Sequence, residues 1–232
     1  MYLIYTGEPC GGRRTKAGII ATYRWPGPGT DCYRTRDNLI ETGHGVSRMR
    51  TALLIVDVQN DYFPGGRNEL SGPGEAAARV RLLLDAFRAR QLPVVHVQHV
   101  SIRPGATFFL PDTPGVQIHG LARPAPGEPV VRKSSPNSFR NTELLQALKE
   151  RGAGRLVVCG MMTHMCVDAT VRAAFDLGFT CLVAGDACAT RSLEYQGETL
   201  SAAAVHGAFL AALQGVYGRV GSAEEVLGQV RA

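Results

Sequence analysis

From residue 51 onward, short unbroken apolar runs alternate with longer stretches whose apolar residues recur every three to four positions. Thr51-Ala-Leu-Leu-Ile-Val-Asp57 carries no charge until its last residue. A half-exposed strand alternates apolar and polar side chains, whereas a strand buried on both faces is apolar at consecutive positions. In residues 75–91, Val80, Leu83, Leu84 and Phe87 fall on one face of a helix. The alternation continues, with strands expected at 93–98, 129–133, 155–160 and 180–185 and helices at 141–152, 165–177 and 197–213. Doubly buried strands joined by helices form a parallel sheet, since a parallel crossover needs a dozen or more residues. Residues 49–232 therefore predict an α/β domain, a doubly wound parallel sheet flanked by helices on both faces. In such sheets, ligands bind outside the carboxyl ends of the strands.

Residues 1–48 have no such period. They hold eight glycines, three prolines and the single Trp25, and the run Trp25-Pro-Gly-Pro-Gly29 is turn chemistry throughout. The expectation is an extension outside the fold, either a flexible tail or the product of an upstream start codon. This matters for the charge. A net charge of +5 raises the question of a nucleic-acid partner. Residues 1–48 hold seven Lys or Arg against four Asp or Glu, leaving only +2 for the rest of the chain. No nucleic-acid partner is expected. Apolar runs are too short to cross a membrane, so no membrane partner is expected either. The first residues lack the basic and apolar regions of a secretory signal. The six cysteines contain no Cys-x-x-Cys pair and read as free thiols in the cytoplasm.

The strand ends carry the chemistry. The first strand closes on Asp57, and a carboxylate after an apolar strand is costly unless it is paired or used. The strand at 129–133 closes on Lys133, in a chain with 22 arginines and three lysines. A lysine is a compact charge whose pKa shifts with its surroundings, unlike an arginine. Cys166 falls where the strand 155–160 turns into the next helix, and free N–H groups at a helix start favour the nucleophilic thiolate. Each residue alone reads as ordinary capping, solvation or packing. Together they are an acid, an ammonium and a thiol at the ends of three strands, which is what nucleophilic catalysis needs.

Three segments carry a resemblance: LLIVDVQNDYF (53–63), VVRKSSPNSF (130–139) and VVCGMMTHMCVDATVRAAFDLGF (157–179). Over 49–215 the chain resembles the isochorismatase-like cysteine hydrolases. The resemblance implies the same doubly wound fold and a catalytic triad of Asp57, Lys133 and Cys166. It also implies a cis peptide between Met161 and Met162. Acyl transfer would proceed through a cysteinyl thioester: Asp57 takes the thiol proton, Lys133 lowers the thiol pKa, and the backbone N–H groups of Met162 and Cys166 receive the oxyanion. The substrate would be a small molecule with an amide or ureido C–N bond. The alternatives are vinyl ether hydrolysis with an idle Cys166, or a non-catalytic oligomeric or redox partner protein. Family members commonly form homo-oligomers.

No cofactor is expected, and no metal. Nicotinamidases in this family carry an Asp-x-His metal motif where this chain has Gln98-His-Val-Ser-Ile-Arg103. His96 and His99 accordingly read as strand or rim histidines. Gln59, Phe63, Arg103, Phe108 and Phe139 lie on or near the strand-end loops and are candidate substrate contacts, the aromatics for a planar group and Arg103 for a carboxylate. Asp186 and Arg191 are expected to orient loops at the site.

Overall fold

The computed structural model describes residues 39–42 and 45–230. The expectation of an extension over 1–48 therefore lies largely outside the described residues. Its described part is an antiparallel pair, β1 (Leu39–Thr42) and β2 (Gly45–Arg48).

Six strands build the main sheet: β3 (Arg50–Val56), β4 (Val94–His99), β5 (Val130–Lys133), β6 (Ala153–Met161), β7 (Thr180–Ala189) and β10 (Arg219–Gly221). Their order is β10-β7-β6-β3-β4-β5 and every pairing is parallel. The period-two geometry of a strand explains the unbroken apolar run of β3. Leu53 and Ile55 enter one hydrophobic layer, with Val80, Leu83, Leu84 and Phe87 of helix α1 (Pro73–Ala89) and Val226 of helix α5 (Ala223–Gln229). Ala52, Leu54 and Val56 enter the other, with Leu144 and Leu148 of helix α2 (Leu144–Glu150), Val171 of helix α3 (Asp168–Asp176) and Leu213 of helix α4 (Ala202–Leu213). A polar residue anywhere between Ala52 and Val56 would face one of these two layers.

The strand order reverses between β3 and β6. From β3 the chain proceeds outward through β4 and β5; from β6 it proceeds the other way through β7 and β10. The crevice at such a switch point is the standard ligand position of the fold. Close approach there depends on Gly160, whose φ is +125° and where a Cβ would stand 2.0 Å from the Val56 carbonyl oxygen. Only glycine fits.

Several boundaries differ from the sequence expectation. The helix expected at 165–177 begins at Asp168, after a π-helical turn over Thr163–Val167. The one expected at 141–152 covers only Leu144–Glu150, since Asn141 is left-handed and the Thr142 hydroxyl donates to the Ser138 carbonyl. That expected at 197–213 begins at Ala202, because β8 (Leu193–Tyr195) and β9 (Glu198–Leu200) form a hairpin. Gln196 and Gly197 both have positive φ, the requirement of a tight two-residue hairpin turn. Strand β7 runs past Gly185 to Ala189, with its pairing to β6 jumping from Val183 to Cys188. Strand β10 and helix α5 lay beyond the expected elements. Among the described residues, no helix is long and apolar enough to cross a membrane.

Candidate active site

Asp57 is the first residue after β3 and leaves the strand in a left-handed conformation, φ 51°. Its N–H still donates to the Val97 carbonyl, 3.1 Å away, so the strand end is fixed while the side chain turns into the crevice. The carboxylate is fully buried. Lys133 ends β5, where alternation puts Val131 and Lys133 inward and Val130 and Arg132 outward. An arginine follows the outward path; the buried place goes to the thinner ammonium. Cys166 lies inside the π turn, which is closed by the Val167 N–H donating to the Met162 carbonyl at 3.2 Å. A cis peptide joins Met161 to Met162 just before it.

These three elements meet at one nitrogen. Lys133 Nζ is 2.6 Å from Asp57 Oδ2 and 3.1 Å from Cys166 Sγ. It also donates toward His99 Nδ1 at 3.0 Å and the Ser135 carbonyl at 3.1 Å. An ammonium has three protons, so four acceptors compete for them. Asp57 Oδ1 is buried without a hydrogen-bond partner among the described residues, and such an orphaned acceptor is free to take a proton. Asp57, His99 and Cys166 offer ligand atoms within 4.8 Å of one another, the spacing of a metal site. The cation they enclose is the lysine ammonium.

Burial pushes the Cys166 thiol well above its ordinary pKa; the Asp57 charge adds to this and Lys133 opposes it. The resting group is the neutral thiol. Lys133 favours the thiolate as expected, but burial and the Asp57 charge outweigh it. Cys166 lies two residues before α3 and is buried, and taking a thiolate out of water is costly. For Lys133, burial works against the ammonium, but Asp57 and Cys166 outweigh it and hold its pKa above the ordinary value.

The candidate substrate contacts separate into groups. Phe108 packs on Tyr62 and Phe109, with Phe109 5.9 Å from the His99 ring, and forms an aromatic wall beside the triad. Arg103 is exposed, and its charge reaches His99. Phe63 is stacked 3.7 Å from the His119 ring. Gln59 is fully buried and its amide is committed: it donates to the His99 and Val116 carbonyls and accepts from the His99 N–H. It positions the end of β4. Phe139 stacks on Phe179 in the layer beneath α2 and α3, so it is a packing residue. Asp186 pairs with Arg79 and accepts from the Ala223 N–H, tying α1 to α5; it does not orient a loop at the site. Arg191 donates to Asn68.

His99 is a strand-end histidine as expected, and what the sequence did not show is its contact with Lys133. The register pairs His99 with Lys133 across β4 and β5. A groove of about 830 Å³ lies further out, lined by Gln98, Val116, Arg123 and Arg132 among others, without any of the triad.

Residues 51–214 match the isochorismatase domain family. The chain belongs to the isochorismatase family. It is 50% identical over 179 residues to the uncharacterized isochorismatase family protein YddQ of Bacillus subtilis, covering 77% of this chain and 99% of that one. The putative isochorismatase hydrolase of Oleispira antarctica superposes with a TM-score of 0.76 at 48% identity, over 78% of this chain and 98% of that one. The ureidoacrylate amidohydrolase RutB of Azorhizobium caulinodans is 28% identical over 178 residues, 62% of this chain and 78% of its own. This isochorismatase-family chain is a hydrolase with an α/β fold of six parallel strands.

Proposed function

We propose that this hydrolase cleaves a C–N bond, amide or ureido, of a small molecule through a thioester on Cys166. The observation that carries the reading is the contact of one buried ammonium with both Asp57 Oδ2 and Cys166 Sγ, at 2.6 and 3.1 Å. Asp57 accepts the thiol proton as Cys166 Sγ attacks the substrate carbonyl carbon. The negative charge moves to the carbonyl oxygen, where the N–H groups of Met162 and Cys166 receive it. Collapse breaks the C–N bond, and the proton on Asp57 goes to the departing nitrogen. Asp57 then takes a proton from water, whose oxygen displaces the thiolate from the acyl carbon; the proton returns to sulfur. Lys133 pairs with Asp57 before each transfer and partners the thiolate after it. No metal or cofactor takes part in these steps.

The amidohydrolase activity named for the RutB relative supports the C–N reading. A nucleophilic cysteine also has no task in vinyl ether hydrolysis. We place the enzyme in a reducing cytoplasm, since the described cysteines are free and buried. We further propose that the chain self-associates through α4, which carries no Asp, Glu, Lys or Arg and leaves several alanines exposed.

The test is a panel of small amides and ureides assayed for ammonia, beside isochorismate assayed for pyruvate. The reading predicts ammonia release that disappears in Cys166→Ala. Pyruvate release that persists undiminished in that variant, with no ammonia from the panel, overturns it.

A further inference from the structure

His99 has a feature that the thioester route does not use. Its Nδ1 faces Lys133 Nζ at 3.0 Å. An ammonium only donates, so Nδ1 must present its lone pair, and the ring proton resides on Nε2. Two further observations bear on that proton. Among the described residues, Nε2 has no hydrogen-bond partner, and the half-buried ring stands at the edge of the aromatic wall made by Phe108 and Phe109. The ring also belongs to the Asp57–Cys166 cluster, whose ligand atoms lie within 4.8 Å of one another. A fixed N–H donor beside the nucleophile, with no acceptor among the described residues, is free to donate to a ligand.

We infer that His99 Nε2–H, with the exposed Arg103 guanidinium of the loop after β4, forms a subsite for a carboxylate carried by the acyl or ureido substrate. The inference rests on the reading of Cys166 as the nucleophile. Lys133 thereby has two tasks: one proton serves the triad, and another locks the tautomer of the group that orients the substrate. The charged and titratable groups facing His99 are Lys133 from β5, Asp57 from the end of β3 and Arg103 from its own loop. Burial and the Lys133 charge push His99 down to about 4, so the ring is neutral near neutral pH. A neutral donor discriminates by geometry; Arg103 supplies the charge that makes a carboxylate the preferred acceptor.

Two variants separate this role from simple anchoring of Lys133. Asparagine places its amide oxygen at the same bond count from Cβ as Nδ1, keeping the acceptor for Lys133 and losing the distal donor. Glutamine places its amide nitrogen at the bond count of Nε2, keeping the distal donor. The probes are 4-nitrophenyl acetate and 4-nitrophenyl hemisuccinate, which share a leaving group and differ in a distal carboxylate. The expected result is a wild-type preference in kcat/KM for the hemisuccinate, about tenfold, the size of one charge-assisted hydrogen bond. That preference is lost in His99→Asn, regained in His99→Gln and reduced in Arg103→Gln. A merely structural role lowers both esters together and leaves their ratio unchanged. An unchanged ratio in His99→Asn overturns the inference. If neither ester acylates Cys166, the thioester reading fails. The subsite is then judged by the long-range proton–nitrogen NMR spectrum of the histidine rings. There an Nε2–H signal that shifts on titration with succinate sustains it, and an Nδ1–H tautomer or no shift overturns it.

Discussion

Two groups made of the same three parts sit on this sheet, each with a carboxylate, a cation and a histidine. In the outer one, Glu128 accepts from Arg88 Nε and Nη2, both at 2.8 Å, from the Ala125 N–H at 2.8 Å, and pairs with His96 Nε2 at 2.9 Å. Both oxygens of that carboxylate are engaged. It ties α1, β4 and the approach to β5 together. In the inner one, Asp57 is more deeply buried yet has an oxygen without any hydrogen-bond partner, and its ammonium is shared among competing acceptors. A satisfied carboxylate holds a fold, even where the His96 Nδ1 beside it has no partner among the described residues; an under-satisfied carboxylate, at the switch point of the strand order, holds capacity for a reaction. The difference is also electrostatic. Burial pushes Glu128 up, but its hydrogen bonds outweigh this and hold the carboxyl at about 2. At the inner group burial dominates, and the thiol stays protonated until Asp57 takes its proton.

The largest effects should come from the inner group. Lys133→Ala leaves Asp57 as an uncompensated buried charge. It should cost about 3–5 kcal/mol in urea unfolding and roughly a thousandfold or more in turnover. A variant that unfolds like wild type would mean that the Asp57–Lys133 contact does not stabilise the fold. The outer group should behave in the opposite way. Glu128→Gln should lower unfolding stability by about 1–3 kcal/mol and leave kcat/KM within about twofold of wild type. A large loss of activity there would erase the distinction between the two groups.

Acid titration sharpens it further. The folded-state pKa of Glu128 is depressed from 4.5 to about 2. Its stabilisation is therefore complete above about 4.5, the unfolded value, and is lost as pH falls toward about 2. Wild type should lose stability across that interval by more than Glu128→Gln does; parallel curves would contradict the assignment. The smallest effect belongs to a pair in neither group. Arg81 and Asp85, both about half exposed, should contribute no more than about 0.5 kcal/mol, so Asp85→Asn should unfold at nearly the wild-type urea concentration.

The same contrast explains what could be read from the sequence. The faces of β3 and α1 were legible because burial on two sides leaves a pattern of consecutive or helically spaced apolar residues. Asp57, Lys133 and Cys166 were legible because each stands at or just beyond the end of a strand, and the resemblance pointed to the same three positions. The hairpin at 193–200 was not, since Gln196-Gly197 is a weak turn signal beside Asn-Gly. Helix α5 had a readable mark, Ser222 and Glu225 in a capping box, lying beyond the last apolar period. The role of His99 and the protonated state of Cys166 depend on register and on desolvation. Both are properties of the assembled crevice: His99 meets Lys133 only because β4 and β5 pair in one particular register, and the thiol is desolvated by residues far from it in the chain.

The central claim is that Cys166 carries the acyl group, and intact-mass analysis of the protein acid-quenched during turnover of a small acyl ester tests it most directly. The account predicts an added acyl mass that maps to the peptide containing Cys166, builds up at steady state, and is absent in Cys166→Ala. Turnover at the wild-type rate with no added mass, in either protein, would contradict it.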